Sequence, residues 1–233
     1  MKKPTFVNGD YYHLYNHAIA DKNIFDDPRD HIRFLSLLKE FNTNNHIELR
    51  RLKSNYKYNL VAHDFSQPYV KIIAYCLMSN HFHLIIEQLT DGGITNFMQK
   101  IGTGYTMYYN TRYESRGHIF SNSFLANHIQ TDDQLLYTTT YVHMNPVKKN
   151  KNVLYDLKVD KEKLERLISY PWSSLPQYLN IDDNKNYAEL KYLRPPINKE
   201  IINKILGQVS YKDYLFKGWI NDSKKTKIDD KMA

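Results

Sequence analysis

The stretch VKIIAYCLMSNHFHLIIEQ, residues 70–88, reads as two strands and the turn between them. VKIIAYCLM (70–78) and HFHLIIEQ (81–88) are rich in β-branched and aromatic side chains, and Ser79-Asn80 leaves room only for a tight hairpin connection. Period two in the second strand puts Phe82, Leu84 and Ile86 on one face, an apolar set that belongs in a core. The other face shows His81, His83, Ile85 and Glu87. Two histidines at i and i+2 stand about 6–7 Å apart along a strand, so their imidazoles can converge on one cation. A pair of exposed strand histidines would read the same way, and this motif alone does not separate the two.

Upstream, YYHLYNHAI (11–19) alternates as a strand, with Tyr12, Leu14 and Asn16 on one face and His13, Tyr15 and His17 on the other. Asp26 or Asp27 before Pro28 caps a helix predicted over 28–43, its stripe Ile32, Leu35, Leu38 and Phe41. Residues 44–68 form a basic insertion in which Arg50, Arg51, Lys53 and Lys57 stand among Tyr56 and Tyr58. Cations interleaved with aromatics suit the phosphates and stackable bases of single-stranded nucleic acid, and equally a solvated loop. Downstream of the hairpin, Gly92-Gly93 open a helix from about Ile94 to Tyr113 with a stripe of Ile94, Phe97, Met98, Ile101, Tyr105 and Tyr108. Gly117 breaks the chain, and HIFSNSFLANHI (118–129) reads as a fourth strand. Thr131-Asp132-Asp133 then caps a third helix that carries Tyr137, Tyr141 and Asn145 before Pro146 ends it.

The order β-α-β-β-α-β-α predicts an α+β fold, a ferredoxin-like (βαββαβ) antiparallel sheet. Two helices cover one face, and an extra, tyrosine-bearing helix is left for the other. We divide the chain into 1–147 and a C-terminal extension, 148–233. The extension is expected to be mostly helical, with a break at Arg194-Pro195-Pro196, a helix over 197–206 and a disordered final dozen or so residues.

Lys and Arg number 32 against 25 Asp and Glu, a net charge of +7 that favours a polyanionic partner, nucleic acid or a membrane surface. The single cysteine, Cys76, excludes a disulfide framework and a cysteine zinc cluster. MKKPTFVNGD has no apolar stretch behind its lysines, and no apolar run approaches the 18 or so residues of a membrane span. These features predict a soluble, cytoplasmic protein that does not engage a membrane.

Tyr141 and Asn145 stand at i and i+4 and so share one helix face. If that helix crosses the open face of the sheet, a phenol and an amide oxygen sit above the histidine pair. A tyrosine with its ordinary pKa near 10 is a poor nucleophile at neutral pH. It becomes useful when a divalent cation orients a phosphate and stabilises the charge that develops. Two imidazoles and an amide oxygen suit Mg²⁺ or Mn²⁺ better than a closed zinc site. Competing readings remain at several positions. With 20 tyrosines in the chain, Tyr141 could be a packing residue. Tyr137/Tyr141 and Tyr105/Tyr109 both imitate a paired-tyrosine site but read as core or surface aromatics. Asn145 could merely end its helix. His13 and Glu87 can approach the histidine pair, each standing behind or beside the ligands. Lys148, Lys149 and Lys151 suit phosphate or plain solvent, and Trp172 reads as a packing anchor.

YCLMSNHFHLIIE, followed by GHIFSNSF and YVHMNPVK, resembles the single-tyrosine HUH transposases, the IS200-like family, and within them most closely the REP-associated tyrosine transposases. YHLYNHAI, FDDPRDHIRFLSLL and YPWSS (170–174) extend the likeness in order over roughly residues 5–180. The resemblance implies that His81 and His83 are metal ligands, Asn145 the third ligand and Tyr141 the nucleophile. It implies cleavage of single-stranded DNA through a 5′-phosphotyrosine with release of a 3′-hydroxyl, and later rejoining by attack of such a hydroxyl. It also implies imperfect palindromes folded as hairpins as substrates, a monomer in preference to a dimer, and association with the nucleoid when DNA is bound. Arg50, Arg51, Lys53, Lys57, Lys148 and Lys149 are the candidate DNA contacts. Three positions depart from the family's usual pattern: His17 and Thr140 each stand where an arginine is common, and Asn122-Ser123 where Gly-Arg is. The rival from another class is a non-catalytic protein that binds nucleic-acid hairpins on the same fold.

Overall fold

The computed structural model describes residues 3–44, 67–147, 159–181, 190 and 193–217. Four strands form one antiparallel sheet: β1 (Tyr11–His17), β2 (Val70–Leu77), β3 (His81–Gln88) and β4 (Leu125–Ile129). Their order, β2-β3-β1-β4, with every neighbouring pair antiparallel, is that of a ferredoxin-like sheet. The two βαβ halves interlock, so β1 and β3 lie at the centre, each flanked by a strand on both edges.

Each strand sends alternate side chains to two apolar clusters. Tyr12, Leu14, Phe82, Leu84, Ile86, Tyr75 and Leu77 point to the first, where α1 (Pro28–Glu40) and α2 (Gly93–Arg112) pack. Asp27 caps α1 by accepting from the Arg29 N–H, while the Asp30 carboxylate returns the bond to the Asp27 N–H. The helix is three residues shorter than its periodicity predicts. Its buried side runs through His31, Phe34, Leu35, Leu37 and Leu38 with Ile32 left at the rim, because α1 must fill the space against α2 as well as the sheet. Tyr105 and Tyr109 on α2 are buried, and their hydroxyls donate to the carbonyls of Ile24 and Asn23. That settles the pair as packing residues with satisfied hydroxyls.

The second cluster lies on the opposite face. A register shift between Ile72 and Ala74 turns both Ile73 and Ala74 toward it, where they join Cys76 and Ile85. The helix α3 (Asp132–Met144) covers this face, capped by Thr131 accepting from the Gln134 N–H. Behind it lie α4 (Lys161–Ile168), α5 (Leu175–Tyr178), α6 (Glu200–Leu206) and α7 (Tyr211–Lys217). Leu164, Leu167, Leu175, Ile202 and Tyr211 from these helices enter the same cluster as Ile73 and Ile85 of the sheet. The outer edge of β2 is sealed as well. The Leu77 N–H donates to the Trp172 carbonyl, the Ser174 N–H to the Tyr75 carbonyl and the Asn198 N–H to the Ile72 carbonyl, which removes an edge that would otherwise invite pairing with another chain.

The fourth strand is shorter than the sequence predicts. Residues 118–124 cross the sheet's end as a loop with one bridge, Phe120 to Ala18, and β4 pairs with β1 only from Leu125 onward. Trp172 anchors the C-terminal segment as expected, stacked on His31 with ring centroids 4.3 Å apart. The basic residues Arg50, Arg51, Lys53, Lys57, Lys148 and Lys149, and the chain's last dozen residues, lie outside the described residues.

Candidate active site

The site stands on the second face of the central strands. Register sets it: on β1 and β3, His17 lies opposite His81, Tyr15 opposite His83 and His13 opposite Ile85. Since β1 and β3 alternate in phase, His13, Tyr15 and His17 meet His81 and His83 on one surface, while Tyr12, Leu14 and Phe82 face the core beneath. The His81 and His83 rings stand 5.0 Å apart at 88°. His17 stacks on His81 at 4.7 Å, and His13 on His83 at 5.1 Å.

Above them runs α3. The Tyr141 ring meets His83 edge to face at 5.7 Å and His13 at 6.0 Å. Burial raises the Tyr141 pKa above its ordinary value, and the neighbouring Tyr15 adds to the effect. The phenol is therefore neutral at physiological pH. One turn further on, the Asn145 Nδ2 donates to the Tyr141 carbonyl at 3.1 Å.

A common pattern joins the three residues expected to bind a cation. His81 Nδ1 lies 2.6 Å from the Asn80 Oδ1, which can only accept from it. His83 Nδ1 lies 2.9 Å from the His13 Nε2. Asn145 has its amide nitrogen turned back onto its own helix. In each side chain one polar atom is thus turned to a protein neighbour; were the three to hold a cation, His81 Nε2, His83 Nε2 and Asn145 Oδ1 would be the donor atoms. Among the described residues, no three His, Cys, Asp or Glu side chains are placed to hold a metal ion. Two imidazoles and an amide oxygen fit a six-coordinate cation that keeps positions for phosphate and water.

Glu87 reaches the same face but pairs with Lys71 at 3.4 Å rather than turning to the histidines. Tyr137 is buried in the second cluster, one turn before Tyr141 on α3. Thr140, one of the positions that depart from the pattern the sequence resembles, donates its hydroxyl to the Leu136 carbonyl inside α3. His17, the other replacement, takes part in the site through its stack on His81. Three residues of the site were not read from the sequence as its parts: Asn80, which orients His81, and Tyr15 and His17 beside the pair. The alternation of YYHLYNH gave their face, but only the pairing register gives their neighbours.

Next to the site, His143 on α3 is wholly buried, with Nδ1 2.8 Å from the Tyr211 hydroxyl and Nε2 2.8 Å from the Ser174 Oγ. The Ser174 Oγ also accepts from the Tyr75 N–H of β2. Burial drives the His143 pKa down to about 3. This neutral ring ties the tyrosine helix to the sheet edge and to α7.

Among the described residues, no helix is long and apolar enough to cross a membrane. No curated protein matches the chain. Among solved structures, one of a REP-associated tyrosine transposase bound to a REP hairpin matches at 12% identity and a TM-score of 0.49, over 77% of this chain and 85% of that one. Residues 55–145 match the family described as transposase IS200 like. That span ends on Asn145 and includes His81, His83 and Tyr141. Over these residues, the chain is similar to the IS200-like transposases.

Proposed function

We propose that the chain is a single-strand DNA endonuclease and strand transferase that uses Tyr141 as its nucleophile beside a divalent cation, Mg²⁺ or Mn²⁺. The observation that carries this reading is the Tyr141 ring set edge-on over His83 within one chain. The cation, when held by His81, His83 and Asn145, would polarise the scissile phosphate and offset the charge that develops on it. Tyr141 then supplies the attacking oxygen. A bond forms between its Oη and phosphorus, the bond from phosphorus to the 3′-oxygen breaks, and that oxygen takes up a proton to leave as a 3′-hydroxyl. The phenol proton passes to solvent. The raised pKa of Tyr141 makes unaided attack poor, which is why the neighbouring charge matters. Rejoining reverses these steps with the 3′-hydroxyl of another strand. The bond energy is conserved in the phosphotyrosine, so neither ATP nor water is consumed.

The substrate class follows from the family resemblance and the basic balance of the chain: single-stranded DNA bearing short palindromes folded as hairpins, bound in the cytoplasm on the nucleoid. Because Tyr141 and the histidines meet within one chain, a monomer suffices for the chemistry. Lys148 and Lys149, directly after the tyrosine helix, and Arg50, Arg51, Lys53 and Lys57 are the candidate backbone contacts.

The test uses single-stranded hairpin oligonucleotides from the DNA flanking the gene, labelled at the 3′ end and resolved on a denaturing gel. A labelled protein adduct should form with Mg²⁺ or Mn²⁺, vanish with EDTA, and be absent from Tyr141→Phe and His81→Ala. Cleavage without an adduct that persists in Tyr141→Phe would show hydrolysis by water instead. Hairpin binding with no cleavage under either metal would leave a non-catalytic binder.

A further inference from the structure

We infer that His13 is a positioning residue that dictates which nitrogen of His83 faces the cation, an inference that rests on the metal-dependent reading above. His13 is 1% exposed, and its Nε2 lies 2.9 Å from the His83 Nδ1. Two imidazole nitrogens at this distance share one proton, so one ring donates and the other accepts. Were His13 the donor, His83 would carry its own proton on Nε2 and that nitrogen would have no lone pair for a cation. A ligating His83 therefore has its proton on Nδ1 and donates to His13, which must accept through Nε2 and hold its proton on Nδ1.

The strand pairing explains why His13 can do this. It sits opposite Ile85, two residues beyond His83 on β3, so the two histidines are diagonal neighbours on one face. The His13 ring is held flat by Tyr15, stacked at 5.1 Å, and is met edge-on by Tyr141 at 6.0 Å. It thus lies beneath both the ligand and the nucleophile. Asn80 serves His81 in the same way, through its Oδ1 on Nδ1. The two ligands are oriented by different means: Asn80 acts from the hairpin turn just before its ligand, His13 from the neighbouring strand.

The experiment is isothermal titration of Mn²⁺ into the full chain without DNA, using the unaltered protein, His83→Ala, His13→Phe and His13→Gln. Phenylalanine keeps the aromatic stack but cannot accept a hydrogen bond, whereas the glutamine Oε1 can accept where Nε2 did. Mn²⁺ affinity should fall about 10–100-fold in His13→Phe and largely recover in His13→Gln. The thermal midpoints of the metal-free variants should stay close together, separating ligand orientation from packing. Full affinity in His13→Phe would overturn the inference. Loss to the His83→Ala level in both His13 variants would also overturn it, by making His13 a ligand. An unaltered chain that binds Mn²⁺ no better than His83→Ala would instead refute the metal site itself, and the role of His13 with it.

Discussion

Two buried histidines outside the site give the molecule a predictable response to acid. Burial lowers the pKa of His31 to about 4 and of His143 to about 3. Above the ordinary value of 6.5, both rings are neutral whether the chain is folded or not, so their contribution to stability is complete. As pH falls below 6.5, the unfolded chain binds protons that the folded chain refuses, and stability declines until pH reaches those folded values. Urea unfolding should therefore show a lower midpoint at pH 5 than at pH 7.5. His31→Phe, which preserves the stack on Trp172, should show a smaller drop than the unaltered chain; an equal drop would contradict the assignment. At this scale the sequence was only partly legible. His-x-His and the spacing of Tyr141 and Asn145 are visible as patterns because strand and helix periods are fixed. Asn80, Tyr15 and His17 were not visible as parts of the site, since their roles depend on pairing between strands more than sixty residues apart in the chain. His143 gave no signal at all, because its partners Ser174 and Tyr211 are brought to it by the tertiary fold.

The elements follow local rules more closely. Caps at Asp27 and Thr131, Pro28 at the first turn of α1 and Pro146 after α3 all mark real boundaries. The misplaced end was that of β4, where HIFSNSF has strand-like composition but pairs only through one bridge. Composition reports what a half-buried surface tolerates, not whether a partner strand is within reach. Gly93 offers a test of element packing. A Cβ built there would lie 2.6 Å from the Tyr69 carbonyl oxygen and 2.9 Å from the Thr90 Oγ1. The first contact is with backbone at the entrance to β2 and cannot be relieved by turning a side chain. Gly93→Ala should lose about 1–3 kcal/mol through overpacking, although alanine is the better helix former by roughly 1 kcal/mol at an interior helical position. Thermal or urea unfolding measures this, and a gain in stability would show that the start of α2 is looser than the geometry requires.

For the whole molecule, the ferredoxin-like order could be read because β-α-β-β-α-β permits few arrangements of an antiparallel sheet. How the last third packs could not be read, because its helices are short and gain stability only by sharing a core. Ile73, Ala74, Cys76 and Ile85 are covered jointly by α3 and by helices from beyond residue 159. Truncation after Lys158 should uncover this apolar face, giving a chain that binds a hydrophobic dye and loses cooperative unfolding; a soluble truncated chain with a sharp transition would show that the face needs no cover. The same architecture sets Tyr141 against the histidines, with Tyr15 beside it and Tyr137 one turn away. The most direct measurement of the central claim is therefore to trap the DNA adduct, digest it with protease and nuclease, and identify the modified peptide by mass spectrometry. The account predicts a nucleotide phosphate on Tyr141, whereas a phosphate carried by Tyr15, Tyr137 or any other residue would contradict it.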